Sequence, residues 1–258
     1  MKAVILAGGF GTRLSEETEI KPKPMVEVGG KPILWHIMKL YSCYGIKDFV
    51  ICLGYKGYVI KEFFVNYQRH MSDITVSLED GIIKNHISRA EDWNVTLIDT
   101  GLNTMTGGRI KGIQEYIGDD EDFCLTYGDG VSDVDIGKLI EFHKSHKKIA
   151  TLTSVKAPNR FGVIDASKEG LINSFKEKPQ EMQDWINGGF FVLNRKVFDY
   201  IGDDKSSIFE SDILPKITSD QQLMSFKHNG FWHAMDTKRD NITLNEMFDK
   251  GKATWVKW

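Results

Sequence analysis

Short apolar segments alternate with segments of helical periodicity over the first 149 residues. The apolar runs predict buried strands at Ala3–Leu6, Phe49–Leu53, Ile74–Leu78, Val95–Ile98 and Phe123–Tyr127. Apolar residues recur with helical spacing at Ile33–Tyr44, Val59–Arg69, Gly108–Tyr116 and Ile136–His146. This alternation predicts an α/β, Rossmann-like fold with a mostly parallel central sheet flanked by helices. Such sheets bind ligands at the carboxyl ends of their strands.

The pattern changes after residue 149, where shorter apolar segments are separated by turns. It predicts strands at Ala150–Val155, Phe161–Ile164, Leu171–Lys176 and Gly189–Leu193, and a strand pair at Leu223–Lys227 and Phe231–Met235. Helices are predicted at Arg195–Tyr200, Ile208–Ile217 and Thr237–Lys250. We therefore expect a smaller mixed-β lobe packed on the sheet. Because no repeat or Pro/Gly-rich linker interrupts the chain, residues 1–258 are predicted to form one domain.

The glycine-rich segment after the first predicted strand indicates a phosphate site. In Gly8-Gly-Phe-Gly-Thr-Arg13 the glycines allow backbone N–H groups to face an anion, and Arg13 and Lys23 add positive charge. No Walker A string is present, and Leu14 occupies the third glycine position of a dinucleotide fingerprint. A plain turn is the alternative, although it has no use for Arg13 and Lys23. The loop therefore predicts a nucleotide that is neither NAD nor FAD.

Composition narrows the class of protein further. The chain has 33 basic and 36 acidic residues among 258, a net charge of −3, so no overall basic field favours nucleic acid. The three cysteines, Cys43, Cys52 and Cys124, lie in apolar stretches without metal-ligand spacing, which predicts reduced, buried thiols. The apolar N-terminal run is too short for a signal peptide, and no run approaches a membrane span, so we expect a cytoplasmic protein.

Two aspartates at predicted strand ends are candidates for a metal site. Asp129 lies at the same sheet edge as the glycine loop, where an Asp-Gly turn is the alternative. Asp236 precedes a helix, where acidic residues are favoured anyway, but Thr237 and Asp240 already predict a capping box there. Mg²⁺ binds one or two carboxylates together with substrate phosphates. The motif Asp133-Val-Asp135 is typical of glycosyltransferase metal sites, yet the start of a helix explains it.

Three further segments suit nucleotide, phosphate or sugar binding. The segment from Thr104 to Arg109 places flexible backbone and a guanidinium before a helix. In Glu177-Lys178-Pro179 the lysine suits a monophosphate and the glutamate suits sugar hydroxyls, and a solvated turn is the alternative. Asn187-Gly188-Gly189 is either a strand-entry turn or an amide with exposed backbone for a sugar.

Taken in chain order, these motifs resemble those of the sugar-nucleotide pyrophosphorylases. The resemblance covers nearly the whole chain and rests on Gly8–Arg13, Lys23-Pro24, Gly128-Asp129, Phe161-Gly162-Val163, Glu177-Lys178-Pro179, Asn187-Gly188-Gly189 and Asp236. Lys21–Val28, Met105–Arg109, Thr126–Val131 and Met235–Thr237 are similar to the subgroup that uses CTP and glucose 1-phosphate. One departure is Ser15–Thr18, where the family loop is usually followed by a proline-containing stretch; it fits the cytidylyl rather than the thymidylyl subgroup.

The resemblance implies a Mg²⁺-assisted reaction in which CTP and α-D-glucose 1-phosphate give CDP-glucose and pyrophosphate, for deoxysugar or surface-polysaccharide synthesis. It implies catalytic roles for Arg13, Lys23 and Asp129, with Asp129 and Asp236 as metal ligands. The implied nucleotide-binding residues are Leu6, Ala7, Gly8, Gly9, Phe10, Gly11, Thr12, Arg13, Lys23, Thr104, Arg109 and Gly128. The implied sugar-phosphate residues are Gly162, Glu177, Lys178, Asn187 and Gly188. Residues 1–149 would form the nucleotide-binding half and 150–258 the sugar-binding half.

Several alternatives remain at this point. A sister enzyme that uses UTP or dTTP is the nearest, and a catalytically silent, sugar-nucleotide-binding regulator belongs to another class. A glycosyltransferase would share a sheet and a metal but would not require a grip on a triphosphate. The resemblance also implies a homo-oligomer, a hexamer in the subgroup, and no nucleic-acid or membrane partner.

Overall fold

The computed structural model describes residues 1–156, 163–166, 172–176 and 185–258. Its strands are β1 (Ala3–Leu6), β2 (Glu27–Val28), β3 (Lys31–Pro32), β4 (Asp48–Leu53), β5 (Ser72–Val76), β6 (Ile83–Ser88), β7 (Asn94–Asp99), β8 (Asp122–Tyr127), β9 (Gly130–Ser132), β10 (Ala150–Lys156), β11 (Val163–Ala166), β12 (Ile172–Lys176), β13 (Trp185–Asn194), β14 (Leu223–His228) and β15 (Trp232–Ala234). Its α-helices are α1 (Ser15–Thr18), α2 (Ile33–Ser42), α3 (Gly57–His70), α4 (Thr106–Lys111), α5 (Gln114–Ile117), α6 (Ile136–His146), α7 (Leu214–Ser219) and α8 (Lys238–Asp249). A π-helical segment spans Phe209–Ile213, and 3₁₀ segments lie at Thr12–Leu14, Lys23–Met25 and Arg195–Tyr200.

A seven-stranded sheet in the order β14-β10-β13-β8-β1-β4-β7 forms the centre of the molecule. Neighbouring strands are parallel except β13, which is antiparallel to both β8 and β10. The predicted mostly parallel α/β sheet is therefore confirmed. Three strands from the second half of the chain, β10, β13 and β14, complete this sheet, while β11 and β12 form a separate hairpin.

Both faces of the sheet are covered by apolar side chains. Successive residues of a strand face opposite sides, so Ala3 and Ile5 join one core with α2, and Val4 and Leu6 join another with α4 and α7. All four residues of β1 are buried. This double burial explains why β1 reads as an uninterrupted apolar run, and it places the end of β1 in the middle of the sheet.

The predicted pairing of the strands at Leu223–Lys227 and Phe231–Met235 is wrong. Instead of pairing with each other, β14 joins β10 in parallel and β15 joins β9 in antiparallel. Asp133 explains the difference, because its carboxylate accepts from Phe231 N at 2.7 Å while its own N–H donates to Phe231 O at 3.1 Å. These two hydrogen bonds hold Phe231 against Asp133, so the chain after β14 leaves the central sheet and β15 pairs with β9.

Other predictions differ in detail. The helix predicted at Gly108–Tyr116 is divided into α4 and α5 at Gly112, since glycine has a low helix propensity. The strand predicted at Ile74–Leu78 lies in the β5–β6 hairpin outside the central sheet. Cys43 is exposed rather than buried, whereas Cys52 and Cys124 are buried as predicted. Among the described helices, none has the length and apolar character needed to cross a membrane.

Candidate active site

The glycine loop leaves the centre of the sheet, where β1 lies between β4 and β8. Backbone hydrogen bonds anchor its start: Ala7 N donates to Cys52 O at 3.0 Å, and Tyr55 N donates to Gly8 O at 3.1 Å. Gly11 has a φ of +64°, a conformation that favours glycine. The predicted turn after the first strand is therefore present at the carboxyl edge of the sheet.

A cavity of about 520 Å³ opens beside this loop. The loop, the segment before α4 and the end of β8 form its walls. Of the predicted site residues, Leu6, Ala7, Gly8, Gly9, Phe10, Gly11, Thr12, Lys23, Thr104, Arg109, Gly128 and Asp129 line it. Arg13 belongs to the 3₁₀ segment beside the cavity, but its side chain lies outside the described part of the structure.

Lys23 links two predicted metal ligands. Its Nζ lies 2.7 Å from Asp129 Oδ2 and 2.8 Å from Asp236 Oδ1. Burial lowers the pKa of Lys23, but attraction and hydrogen bonds from the two carboxylates outweigh it, so the pKa is raised above its ordinary value of 10.5. The side chain is therefore a fixed ammonium ion at the cavity wall.

A short β-ladder brings the two aspartates together. Gly130 of β9 pairs with Ala234 of β15, and Met235 N donates to Asp129 O at 2.8 Å. Asp129 and Asp236 thus lie at the same end of this ladder. The predicted capping box is also confirmed, since Thr237 caps α8 and exchanges bonds with Asp240. Asp236 N donates to Asp240 Oδ2 at 3.1 Å, which fixes the backbone at Asp236.

The donor set at this position fits Mg²⁺. Hard carboxylate oxygens of Asp129 and Asp236 converge on one ammonium group, so two donors of the kind that Mg²⁺ prefers lie close together here. Within the described residues, no group of three or more His, Cys, Asp or Glu side chains is placed to hold a metal. Two carboxylates with further ligands from phosphate and water is the arrangement that Mg²⁺ adopts in nucleotide enzymes.

The D-x-D motif has structural roles. The carboxylate of Asp133 is engaged by Phe231 N and lies 2.9 Å from His228 Nε2. Asp135 is the N-cap of α6 and accepts from Lys138 N at 3.0 Å. The expectation that the start of a helix explains this motif is confirmed for Asp135, whereas Asp133 instead holds the segment before β15.

Arg109 lies in the cavity wall, with its guanidinium bonded to the protein. It donates to the carbonyls of Gly8, Leu53, Gly101 and Leu102 and to the hydroxyl of Thr100, at 2.7–3.3 Å. Burial lowers the pKa of Arg109. The side chain therefore joins the glycine loop to the end of β4 and to residues 100–102.

Two glycines make room for this guanidinium. A Cβ on Gly8 would lie 2.1 Å from Arg109 Nη1, and one on Gly54 would lie 2.6 Å from the same atom and from Gly8 O. These distances are far below van der Waals contact. Gly8 is therefore required for the packing of Arg109.

On the predicted sugar side, the structure describes Asn187 and Gly188, both in β13. Asn187 Nδ2 donates to the Tyr127 hydroxyl at 3.3 Å, which connects it to the cavity wall. Gly188 O accepts from Trp232 Nε1 at 2.7 Å. Gly162, Glu177 and Lys178 lie outside the described residues, so their assignments stay predictions.

Sequence reasoning missed Tyr127 and Thr106 as wall residues and Glu210 as their common partner. Tyr127 could have been identified as a wall residue from the sequence, because it is the last residue of β8 and directly precedes Gly128 and Asp129. No sequence signal identified Glu210. It lies in the π-helical segment, and only the packing of that segment against α4 brings it to the site.

The family model described as "Nucleotidyl transferase" matches residues 2–248. The glucose-1-phosphate cytidylyltransferase of Salmonella typhimurium is 57% identical over all 258 residues and the whole of that protein. The probable glucose-1-phosphate cytidylyltransferase of Bacillus subtilis is 42% identical with the same full coverage.

The solved structures agree with this assignment. HddC from Yersinia pseudotuberculosis superposes with a TM-score of 0.68 at 28% identity, covering 96% of this chain and 99% of HddC. Another structure of HddC contains GMP-PN. The resemblance inferred from the ordered motifs is confirmed by these matches over the full length. The chain belongs to the nucleotidyl transferase family.

Proposed function

We propose that the protein transfers the cytidylyl group of CTP to α-D-glucose 1-phosphate and releases pyrophosphate. The 57% identity to the Salmonella relative over both full chains supports the choice of substrates. The observation that carries the mechanism is Lys23 bridging Asp129 and Asp236 at the end of the glycine loop. Together they supply a cationic and a metal-binding group at one edge of a nucleotide-sized cavity.

The reaction is an in-line substitution at the α-phosphorus. An oxygen of the sugar phosphate forms the new P–O bond, and the bond to the bridging oxygen of the departing pyrophosphate breaks. The nucleophile is already anionic, so no strong general base is required. Catalysis is then positioning and charge neutralisation.

Each part of the site has a role in this proposal. Backbone N–H groups from Gly8 to Gly11, with Arg13, hold the departing pyrophosphate. Lys23 neutralises charge that develops at the α-phosphate. Asp129 and Asp236 would hold Mg²⁺, which when bound would neutralise phosphate oxygens and orient them.

The sugar phosphate occupies the side formed by β13. Lys178 binds its phosphate, and Gly162, Glu177, Asn187 and Gly188 contact the sugar. Asn187 is hydrogen-bonded to Tyr127, a wall residue of the cavity, so the two proposed substrate sites are adjacent.

The test is pyrophosphate release from glucose 1-phosphate, Mg²⁺ and one nucleoside triphosphate at a time. We expect release with CTP and identification of CDP-glucose by mass spectrometry. Preference for UTP or dTTP would remove the cytidylyl assignment only, and no release with any nucleotide would remove the enzyme assignment. Mannose 1-phosphate is the matched control for the sugar, and we expect it to be a poor substrate.

We also propose that the protein assembles as a homo-oligomer, a hexamer as the subgroup resemblance implies. The β5–β6 hairpin supports assembly, because Ile74, Val76 and Ile83 are exposed and lie on one of its faces. An apolar strand face of this kind is typical of interfaces between chains. We place the reaction in the cytoplasm, where nucleoside triphosphates are used and where free cysteines such as these stay reduced.

A further inference from the structure

Glu210 receives a hydrogen bond from each of two walls of the cavity. Thr106 Oγ1 donates to its Oε2 at 2.7 Å, and the Tyr127 hydroxyl donates to its Oε1. Both donors line the cavity, while Glu210 itself lies just behind them. Within the described part of the chain, no Lys, Arg or His nitrogen lies within 4 Å of this half-buried carboxylate.

The threonine contact fixes the carboxylate relative to α4. Thr106 Oγ1 accepts from Phe209 N at 2.8 Å, so its proton is directed to Glu210. Gly107 N also donates to Ser207 O at 2.9 Å. The segment that carries Glu210 is therefore tied to the first turn of α4 by both backbone and side chain.

The tyrosine contact fixes a chain of donors and acceptors. The Tyr127 hydroxyl donates to a carboxylate oxygen of Glu210, so its proton is directed away from Asn187. The phenolic oxygen then accepts from Asn187 Nδ2 at 3.3 Å, and Asn187 Oδ1 accepts from Gly189 N at 2.8 Å. Burial, followed by the charge of Glu210, raises the pKa of Tyr127, so the phenol keeps the proton that this chain requires.

Gly189 allows the close approach on which this chain depends. It has a φ of +78°, and a Cβ there would lie 2.5 Å from Tyr127 Cδ2. The backbone of β13 therefore folds directly against the tyrosine ring. This contact holds Asn187 within reach of the hydroxyl.

We propose that Glu210 is a positioning residue for the sugar phosphate, acting through Tyr127 on the carboxamide of Asn187. By holding the tyrosine proton, it keeps Nδ2 of Asn187 on the tyrosine side and leaves the second Nδ2 N–H for a sugar hydroxyl oxygen. The assignment of the sugar to this side rests on the proposed function. The orientation of the carboxamide itself does not.

Replacing the carboxylate by an amide removes the constraint while keeping its shape. In Glu210→Gln, Nε2 can face Tyr127, so that the phenol accepts from it and donates its own proton to Asn187. The carboxamide of Asn187 must then turn, and it loses the bond from Gly189 N. Glutamine at position 210 therefore permits two directions of the hydrogen-bond chain through Tyr127 and Asn187, whereas glutamate permits one.

The kinetic test compares Glu210→Gln, Tyr127→Phe and the double variant. We expect each single variant to raise KM for glucose 1-phosphate about threefold to tenfold, the scale of one hydrogen bond. Glu210→Gln, whose side chain lies behind the cavity wall, is expected to leave KM for CTP unchanged. The double variant adds no further loss, because both changes interrupt one chain. Asp204→Asn, an exposed carboxylate in the preceding loop that bonds only Ser206 among the described residues, is the matched control.

A structural role would give a different result. Equal increases in both KM values, or a lower melting temperature with unchanged KM values, would overturn the proposal. If the wild-type protein formed no product with any substrate pair, the proposed function would fail, and the carboxamide orientation would still be measurable.

That measurement is the ¹H–¹⁵N spectrum of the Asn187 side chain without ligands, assigned by its loss in Asn187→Asp. In the wild type we expect a single pair of Nδ2 proton signals, one of them shifted by the hydrogen bond to Tyr127. In Glu210→Gln and Tyr127→Phe we expect this pair to be shifted or doubled. Unchanged signals in Glu210→Gln would contradict the proposal whatever the activity.

Discussion

Lys23 Nζ lies between Asp129 Oδ2 and Asp236 Oδ1, at 2.7 and 2.8 Å. One ammonium thus neutralises part of the charge of two carboxylates that lie far apart in the sequence. Buried charges require such pairing, because desolvation penalises each of them alone. The ammonium of Lys23 therefore lies between the two carboxylates, where a divalent cation would also be attracted.

Lys23→Ala is expected to lower turnover at least roughly a hundredfold, the scale of a lost electrostatic stabiliser. The reason is the loss of the fixed positive charge beside the α-phosphate. The same variant leaves two carboxylates without their shared cation. We therefore expect it to bind Mn²⁺ more tightly than the wild type in the absence of nucleotide, measured by calorimetry. Turnover near the wild-type value, with folding intact, would refute the role of Lys23.

Asp129→Ala is also expected to lower turnover at least roughly a hundredfold, because one of the two carboxylates proposed to bind Mg²⁺ is lost. Asp236→Asn tests the second ligand, and raising the Mg²⁺ concentration should partly restore its rate. Asp135→Asn is the matched control, since Asp135 caps α6 and asparagine caps as well as aspartate. The assignment fails if Asp135→Asn is as damaging as the other two.

Gly54→Ala is expected to destabilise the protein by about 1–3 kcal/mol, as overpacking does in other proteins. The added methyl group would lie 2.6 Å from both Arg109 Nη1 and Gly8 O, so the guanidinium or the glycine loop must move. We expect a lower free energy of unfolding in urea and weaker nucleotide binding. Gly202→Ala is the control, because its Cβ meets no atom within 4 Å. Equal stability of the two variants would contradict the tight packing of Gly54 against the Arg109 guanidinium.

Acidification is expected to destabilise the fold through its buried histidines. Burial lowers the pKa of His36 below its ordinary value of 6.5, despite a hydrogen bond to Val28 O. The unfolded state then binds more protons than the folded state just below pH 6.5, so stability is lost as pH falls through the folded pKa. Burial also lowers the pKa values of His143 and His146.

The measurement is the free energy of unfolding between neutral pH and the acid limit of reversible unfolding. We expect it to fall below pH 6.5, and to fall less steeply in His36→Phe, which has one titrating group fewer. An identical slope in wild type and variant would contradict the assignment to His36.

The apolar hairpin face predicts the site of self-association. Val76 and Ile83 are paired across β5 and β6, so the double variant Val76→Asp/Ile83→Lys places charges at the centre of that face. We expect the mass in light scattering to fall toward that of a monomer. Lys84→Glu, on the opposite face, is the control and should leave the mass unchanged. A monomeric wild type would contradict homo-oligomer formation.

The parts of the fold that depend on local pattern were predictable. β1 and α6 have the predicted bounds, since an uninterrupted apolar run and a capped amphipathic run each specify one element. The short ladder between β9 and β15 was not predictable, because three-residue strands carry little periodicity. Yet this ladder is what brings Asp129 and Asp236 to one lysine.

Site residues that directly follow a predicted strand could be predicted from the sequence. Those whose position depends on tertiary packing could be predicted less well. The residues of the glycine loop line the cavity because they directly follow a central strand. Arg109 was predicted from its residue type as a phosphate contact, but its depth and its five protein acceptors depend on Gly8 and Gly54. Glu210 depends on the docking of the π-helical segment against α4, which no local pattern indicates.

The most direct test of the account follows the oxygen that forms the new bond. Glucose 1-phosphate labelled with ¹⁸O in its phosphate is incubated with CTP, Mg²⁺ and the protein, and both products are analysed by mass spectrometry. Attack on the α-phosphorus predicts that all of the label enters CDP-glucose and that the pyrophosphate carries none. Label in pyrophosphate or in free phosphate, or no CDP-glucose at all, would contradict the account.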